Sequence, residues 1–286
     1  MSLFLKSGSA LQHTPIRVAT ALLAALAALA LVPAAASAWA PAATAPIHPG
    51  VMTNTEGSGQ CTSNFIYTRG GDTYIGQAAH CSSTGAATDT NGCTSASLPL
   101  GTKVEVDGAS VKGTLAYNSW LTMQANGEAD EETCAYNDLA LVRIDPTDVG
   151  KVNPSIPDFG GPTGVGTAAA GQQVYTYGNS SLRGGVTALS PKNGLVVERT
   201  PGGWSYSVYT LTPGIPGDSG SAFLNANGAA LGTLSTVAIA PLPASNGVGD
   251  VGSELAYARA HGFDGLELVN GTEPFAKKLL GKVPLP

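Results

Sequence analysis

The chain has 286 residues, 43% hydrophobic and 12% charged, with a formal net charge of −6. That is apolar enough to bury a core and rules out a disordered chain, while an acidic chain without a basic stripe is a poor nucleic-acid binder. Its 37 glycines and 19 prolines are scattered, which favours a turn-rich all-β fold over a helical one.

The first 38 residues read as an export signal. Lys6 and Arg17 give a positive leader, residues 18–32 form an apolar run, Pro33 breaks it, and Ala36-Ser37-Ala38 is a small-residue cleavage site. The run is shorter than the roughly 20 residues a membrane span needs. No later segment is apolar enough for one. The expected product is therefore secreted and extracellular, free of the membrane once cleaved.

Residues 39–50 carry three prolines and four alanines and read as an extended lead-in rather than a packed element. Residues 39–60 as a whole are expected to precede the folded domain, as a lead-in or a removable propeptide. From Cys61 onward, short runs of β-formers alternate with turns. Residues 64–68 and 73–76 flank Arg69-Gly70-Gly71-Asp72, a hairpin signature. Residues 103–107 alternate strictly, and 111–117 and 139–144 are further strands. The Gly/Pro-rich stretch 154–171 reads as the boundary between two halves, about 61–150 and 165–268. Strands are then expected at 173–177, 185–189, 195–199, 204–211, 221–224 and 229–239. The one good helix is C-terminal: Thr272 as N-cap, Pro274 in the first turn, and lysines 277 and 278 near the end of a run reaching Leu280. Many short strands at near-regular spacing suggest a sandwich or a pair of barrels.

Cys61, Cys81, Cys93 and Cys134 all follow the signal. An even count in an exported chain implies disulfides, and four cysteines leave three pairings open. No C-x-x-C pair exists, which argues against a thiolate zinc site.

Three short contexts can carry chemistry. His80 follows small residues in Gly76-Gln77-Ala78-Ala79-His80-Cys81, so its ring can approach a neighbouring strand; alone it reads equally as a structural histidine. Asn137-Asp138-Leu139-Ala140-Leu141 opens an apolar strand with a carboxylate, which needs a partner if buried; alone it is a strand-edge acid. In Pro216-Gly217-Asp218-Ser219-Gly220-Ser221, two glycines flank an Asp-Ser pair. Glycine lets a substrate carbonyl approach main-chain N–H groups beside a serine nucleophile; alone the segment reads equally as a plain turn.

Together, in this order, the three segments resemble the trypsin/chymotrypsin family of serine proteases. Ala78-Ala79-His80-Cys81, Asn137-Asp138-Leu139-Ala140-Leu141 and Gly217-Asp218-Ser219-Gly220 match its three motifs, and the likeness covers roughly residues 61–237. It implies an all-β fold of two packed six-stranded antiparallel β-barrels, with a short C-terminal helix from this chain's own pattern. It implies His80, Asp138 and Ser219 as a triad, with an oxyanion hole from the backbone N–H groups of Gly217 and Ser219. It also implies pairing of Cys61 with Cys81 and of Cys93 with Cys134, polypeptide substrates, a monomer, and no cofactor or metal. The second bridge would place Glu128, Asp130, Glu131 and Glu132 near Asp138, as a solvated loop in preference to a calcium site.

Two departures from the family pattern stand out. Ser221 replaces a usual glycine. No Ile-Val-Gly-Gly activation segment is present, so Asp218 needs an internal cation, and Arg183 is the candidate. By the family's spacing the primary pocket is built from Pro213, Ser235 and Val237. Its base is not acidic, and Val237 narrows it where glycine is expected, which favours small or medium apolar side chains. Two rivals compete with this reading. One is an α/β-hydrolase esterase using Ser219, Asp250 and His261, which lacks the Gly-x-Ser-x-Gly elbow. The other is a catalytically inactive, exported binding protein with the protease fold.

Overall fold

The computed structural model describes residues 39–238 and 245–278. The expected signal segment lies outside them. Fourteen strands among the described residues form one closed barrel and one open sheet.

The open sheet carries the first half of the chain. Its strands are β1 (Met52–Thr55), β2 (Gln60–Thr62), β3 (Ile66–Arg69), β4 (Asp72–Ala78), β5 (Lys103–Val106), β6 (Gly113–Asn118), β7 (Leu139–Arg143) and β14 (Glu267–Leu268). Their order is β14-β3-β4-β7-β6-β5-β1-β2. The predicted hairpin is β3–β4, with Arg69 opposite Asp72. Strict alternation in β5 sends Val104 and Val106 inward and Lys103 and Glu105 outward. The remaining strands, β8 (Gln173–Tyr177), β9 (Pro191–Arg199), β10 (Ser205–Thr210), β11 (Ala222–Asn225), β12 (Ala230–Ala238) and β13 (Ser245–Asp250), close into a six-stranded barrel.

Two closed barrels were expected, and only the second is closed. The free edges of the first sheet are otherwise engaged. β14 takes the edge of β3, with Leu268 opposite Tyr67. At the other edge, the Thr62 N–H of β2 donates to Ser219 O at 2.8 Å. The edge therefore holds the other half of the molecule instead of sealing its own sheet.

Residues 39–60 were read as a lead-in, yet they are packed. Ile47 is fully buried, Ala45 and Val51 nearly so, and β1 pairs with both β2 and β5. The proline-rich stretch is folded by turns, with Pro41 O accepting the Thr44 and Ala45 N–H groups at 3.0 and 2.9 Å, and this seats Ala45 and Ile47 in the core. Residues 185–189 were expected as a strand. They form a 3-10 turn at Thr187–Leu189 after Gly184 and Gly185, both at positive φ, which turn the chain out of extended geometry.

The helices also differ from expectation. Residues 272–278 are not helical, and Leu279 and Leu280 lie outside the described residues. Ser155 Oγ accepts the Thr272 and Glu273 N–H groups, both at 2.9 Å, and Phe159 O accepts the Ala276 N–H at 2.7 Å. Phe275 packs on Tyr175 with centroids 5.4 Å apart. These anchors fix an extended path and outweigh local helix propensity. Helices form elsewhere: α1 (Ser119–Asn126), α2 (Glu131–Tyr136) and α3 (Val251–Ala260). Each has a side-chain N-cap: Asn118 Oδ1 accepts from Trp120 N, Asp130 Oδ1 from Thr133 N, and Asp250 Oδ1 from Ser253 N. No helix among the described residues is long and apolar enough to cross a membrane.

One buried cluster joins the halves. Tyr67, Tyr117, Leu139 and Leu141 of the sheet pack with Tyr175 and Leu224 of the barrel and Leu255 of α3. The sheet and the barrel each have a further core of their own. α3 thus leaves the barrel and docks at the junction, directly behind the start of β7.

Candidate active site

His80 sits in a 3-10 turn, Ala79–Ser82, at the end of β4, and Asp138 immediately precedes β7. Because β4 and β7 pair through Ala78 and Leu139, the two side chains emerge side by side. Asp138 Oδ2 accepts from His80 Nδ1 at 2.7 Å, and Asp138 Oδ1 accepts from the His80 backbone N–H at 2.9 Å. Ser235 Oγ also donates to Asp138 Oδ2 at 2.5 Å. Burial acts to lower the His80 pKa, but the charge and hydrogen bond of Asp138 outweigh it, and the net result is a rise above 6.5. Cys61 and Cys81 are bonded to each other beside this turn, and Cys93 to Cys134.

Ser219 reaches the same place from the barrel. Its carbonyl is held by Thr62, next to Cys61, and Gly220 lies against the end of β4. A Cβ on Gly220 would fall 2.4 Å from Thr62 O and 2.9 Å from Ala78 N, and its φ is +87°, so only glycine fits this crossing. The half-buried Ser219 hydroxyl makes no hydrogen bond with any described residue.

The loop around Ser219 holds two N–H groups away from its own acceptors. Pro216 O accepts Ser180 Oγ at 2.6 Å, which turns the Gly217 N–H to the opposite side of a planar peptide. Asp218 O accepts the Ser221 hydroxyl at 2.5 Å and the Ser221 N–H at 3.0 Å, which does the same for the Ser219 N–H. The serine that replaces the family's glycine thus anchors the loop. Neither N–H has an acceptor among the described residues. Gly217 O is pinned by Gln60 Nε2 at 2.9 Å and Thr62 Oγ1 at 2.7 Å.

Asp218 is fully buried beneath this loop. It is ion-paired to Arg183, and also to Lys192 Nζ at 2.5 Å, a fully buried residue of β9. Ser180 N and Ile215 N donate to its two oxygens. Burial lowers the Lys192 pKa; Asp218 raises it back in part, and Arg183 adds to the lowering. Sequence reasoning found Arg183 and missed Lys192, which lies in what reads as a turn before an ordinary strand.

Of the expected pocket residues, Pro213 is half-buried and Val237, on β12, is 55% exposed. Asn246 joins their segments, accepting the Gly214 N–H at 2.9 Å and donating to Thr236 O at 3.3 Å. Ser235 sits where the β12–β13 ladder skips a residue, between the pairs Leu234–Val248 and Thr236–Gly247. The sequence also concealed Gln60, Thr62, Ser180 and Asn246. Each is a common polar residue whose role depends on a distant backbone group, so no local motif marks it.

The esterase grouping does not assemble. Asp250 caps the start of α3 and binds Arg199 and Tyr206, whereas His261 lies past its end, stacked on Tyr257. A ten-residue helix separates them by about 15 Å. The acidic segment 128–132 is spent on the backbone: Glu128 accepts the Ala129 and Asp130 N–H groups, Asp130 caps α2, and Glu132 accepts the Gly202 N–H. Cys61, His80 and Cys81 cluster within 4.8 Å, but the two sulfurs are consumed in their mutual bond.

An open antiparallel sheet that pairs His80 with Asp138 and a closed six-stranded barrel that brings Ser219 against the edge of that sheet match the chymotrypsin-like serine protease fold. One solved structure agrees in fold, and others are similar at lower scores. Protease A of Thermobifida fusca superposes with a TM-score of 0.51 at 20% identity, over 79% of this chain and 99% of that one. A glutamic acid-specific serine protease gives 0.48 at 18% identity over 78% and 100%. An alpha-lytic protease homologue, N4, gives 0.45 at 18% over 73% and 95%. No family model and no curated protein matches the sequence.

Proposed function

We propose that this chain is an exported serine endopeptidase with His80, Asp138 and Ser219 as its triad. The observation that carries the reading is the pairing of His80 Nδ1 with Asp138, together with a serine whose backbone packs on the end of the same sheet and whose hydroxyl and loop N–H groups have no partner among the described residues. Ser219 Oγ attacks the peptide carbonyl carbon while His80 Nε2 takes its proton. The oxyanion is received by the N–H groups of Gly217 and Ser219. The C–N bond then breaks, His80 delivers the proton to the leaving amine, and water repeats the sequence on the acyl-enzyme. Asp138 keeps the ring oriented and stabilises its charged form.

Two disulfides and the leader at residues 1–38 support export into an oxidising compartment. The absence of an acidic pocket base at Pro213 and the apolar Val237 wall support cleavage after small or medium apolar side chains. The buried Asp218–Arg183–Lys192 cluster supports a loop held in its working shape without a liberated N-terminus. The decisive experiment labels the secreted protein with a fluorophosphonate and maps the modified residue. Label on Ser219, and a loss of several powers of ten in peptidase turnover in Ser219→Ala, are expected. A Ser219→Ala variant with wild-type turnover would overturn the assignment.

A further inference from the structure

Glu254 stands apart from every group used above. It is a fully buried carboxyl on the first turns of α3, at the junction of sheet and barrel. Its Oε1 accepts the backbone N–H of Asp138 at 3.3 Å, and its Oε2 shares a hydrogen bond with Thr233 Oγ1 of β12 at 3.0 Å. Thr233 is in turn held by Asn64 Nδ2 at 3.4 Å, and Asn64 accepts the Tyr67 hydroxyl at 3.2 Å. A Cβ on Gly249 would lie 2.5 Å from Glu254 Oε1, so the neighbouring strand is kept bare to admit the carboxyl.

We propose that Glu254 is a positioning residue for Asp138, holding it in register with His80 from across the junction of the two halves. This rests on the reading of Asp138 as the triad carboxylate. A buried acid is a costly way to satisfy one N–H, and a smaller polar group would also serve. What Glu254 adds is reach: one planar group bridges the start of β7 to β12, the strand that also supplies Ser235 to Asp138. The Asp138 backbone, through Glu254, and one of its carboxylate oxygens, through Ser235, are thereby tied to the barrel that carries Ser219.

The charge state follows from the surroundings. Asp138 at the start of β7 and Asp250 at the cap of α3 are acids, and Tyr67 of β3 and Tyr117 of β6 are neutral phenols whose own pKa values Glu254 helps to raise. Thr233 is neutral, and no Lys, Arg or His pairs with Glu254 among the described residues. Burial and the neighbouring acids favour the neutral form of Glu254, in which the Oε2 hydroxyl donates to Thr233 Oγ1 while Oε1 accepts the Asp138 N–H. Burial, with Asp138 beside it, pushes the Glu254 carboxyl up to about 8. Above that pH a second negative charge would form behind Asp138.

The test compares Glu254→Gln and Glu254→Leu with wild type in the full chain. It measures kcat and KM on a peptide substrate from pH ~6 to ~10, and the downfield proton resonance of His80 Nδ1. Gln preserves the bridge and cannot ionise. It should keep kcat within about threefold at neutral pH and lose an inflection near pH 8 that wild type shows. Leu removes the bridge, and should lower kcat about tenfold or more with little change in KM and shift the Nδ1 resonance. If Leu fails to fold, the Gln pH profile and resonance decide. Folded Gln and Leu variants with wild-type kcat, pH profile and resonance would overturn the proposal. A wild-type protein whose Ser219 takes no fluorophosphonate would instead sink the triad reading, and this inference with it. Labelled wild type with unmoved Glu254 variants sinks this inference alone.

Discussion

Asp138 and Asp218 are both buried acids, 3% and 0% exposed, and the protein treats them in opposite ways. Asp218 faces two cations, Arg183 and Lys192, in addition to two backbone N–H groups. Asp138 meets no permanent cation. It has a backbone N–H, a hydroxyl, an imidazole, and behind it another acid. A carboxylate matched to fixed positive charge is a structural rivet. One held only by neutral donors keeps its charge available for whatever the imidazole becomes. The molecule thus places its strong electrostatics under the Ser219 loop and its responsive electrostatics beside His80.

The same substitution at the two acids should break this contrast most sharply. On the proposed reading, Asp138→Asn leaves the fold intact and lowers kcat by about four orders of magnitude, because the imidazole loses its orientation and its counter-charge. Steady-state peptidase assays check this, and a loss of tenfold or less would contradict it. At Asp218 the damage should appear in stability. Asp218→Ala strands two cations in a buried space and should cost about 3–5 kcal/mol, measured by urea unfolding. Removing cations one at a time sharpens the point. Lys192→Met leaves the Arg183–Asp218 pair neutral overall and should change stability by less than about 2 kcal/mol, whereas Arg183→Met with Lys192→Met leaves Asp218 bare and should cost more than the sum of the single changes.

The smallest effects are in pH dependence. His80 must be neutral to act as a base, and its pKa is raised, so the acid limb of kcat/KM should have its midpoint above 6.5. Glu254 affects stability with a definite sign. Its carboxyl ordinarily titrates near 4.5 and is pushed to about 8 in the fold. Between those values the folded chain keeps a proton that the unfolded chain has released. Stability should fall as pH rises from 4.5 toward 8 and then level off. Urea midpoints at pH ~5, ~7 and ~9 should show that fall in wild type and a flatter curve in Glu254→Gln.

Much of this molecule is legible in the order of its residues. Alternation in residues 103–107, the Gly70-Gly71 hairpin and the apolar runs after it mark strands because side chains on a strand face opposite ways with period two. His80, Asp138 and Ser219 are legible because each lies in a local context that constrains its backbone: small residues before the histidine, an apolar strand after the aspartate, glycines around the serine. Even Arg183 follows from the missing activation segment, which leaves Asp218 in need of an internal cation. What tertiary structure decided is whatever depends on a partner far along the chain. Whether the first sheet closes turns on β14 and on Thr62 reaching Ser219. Whether residues 272–278 coil into a helix turns on Ser155 and Phe159. Gln60, Ser235 and Glu254 acquire their roles only when the two halves meet, and Lys192 only when the barrel closes β9 over Asp218. Local propensity is worth tenths of a kilocalorie per residue, whereas a buried charge or an unpaired buried N–H is worth several times that. Where the two conflicted, the packed contact prevailed.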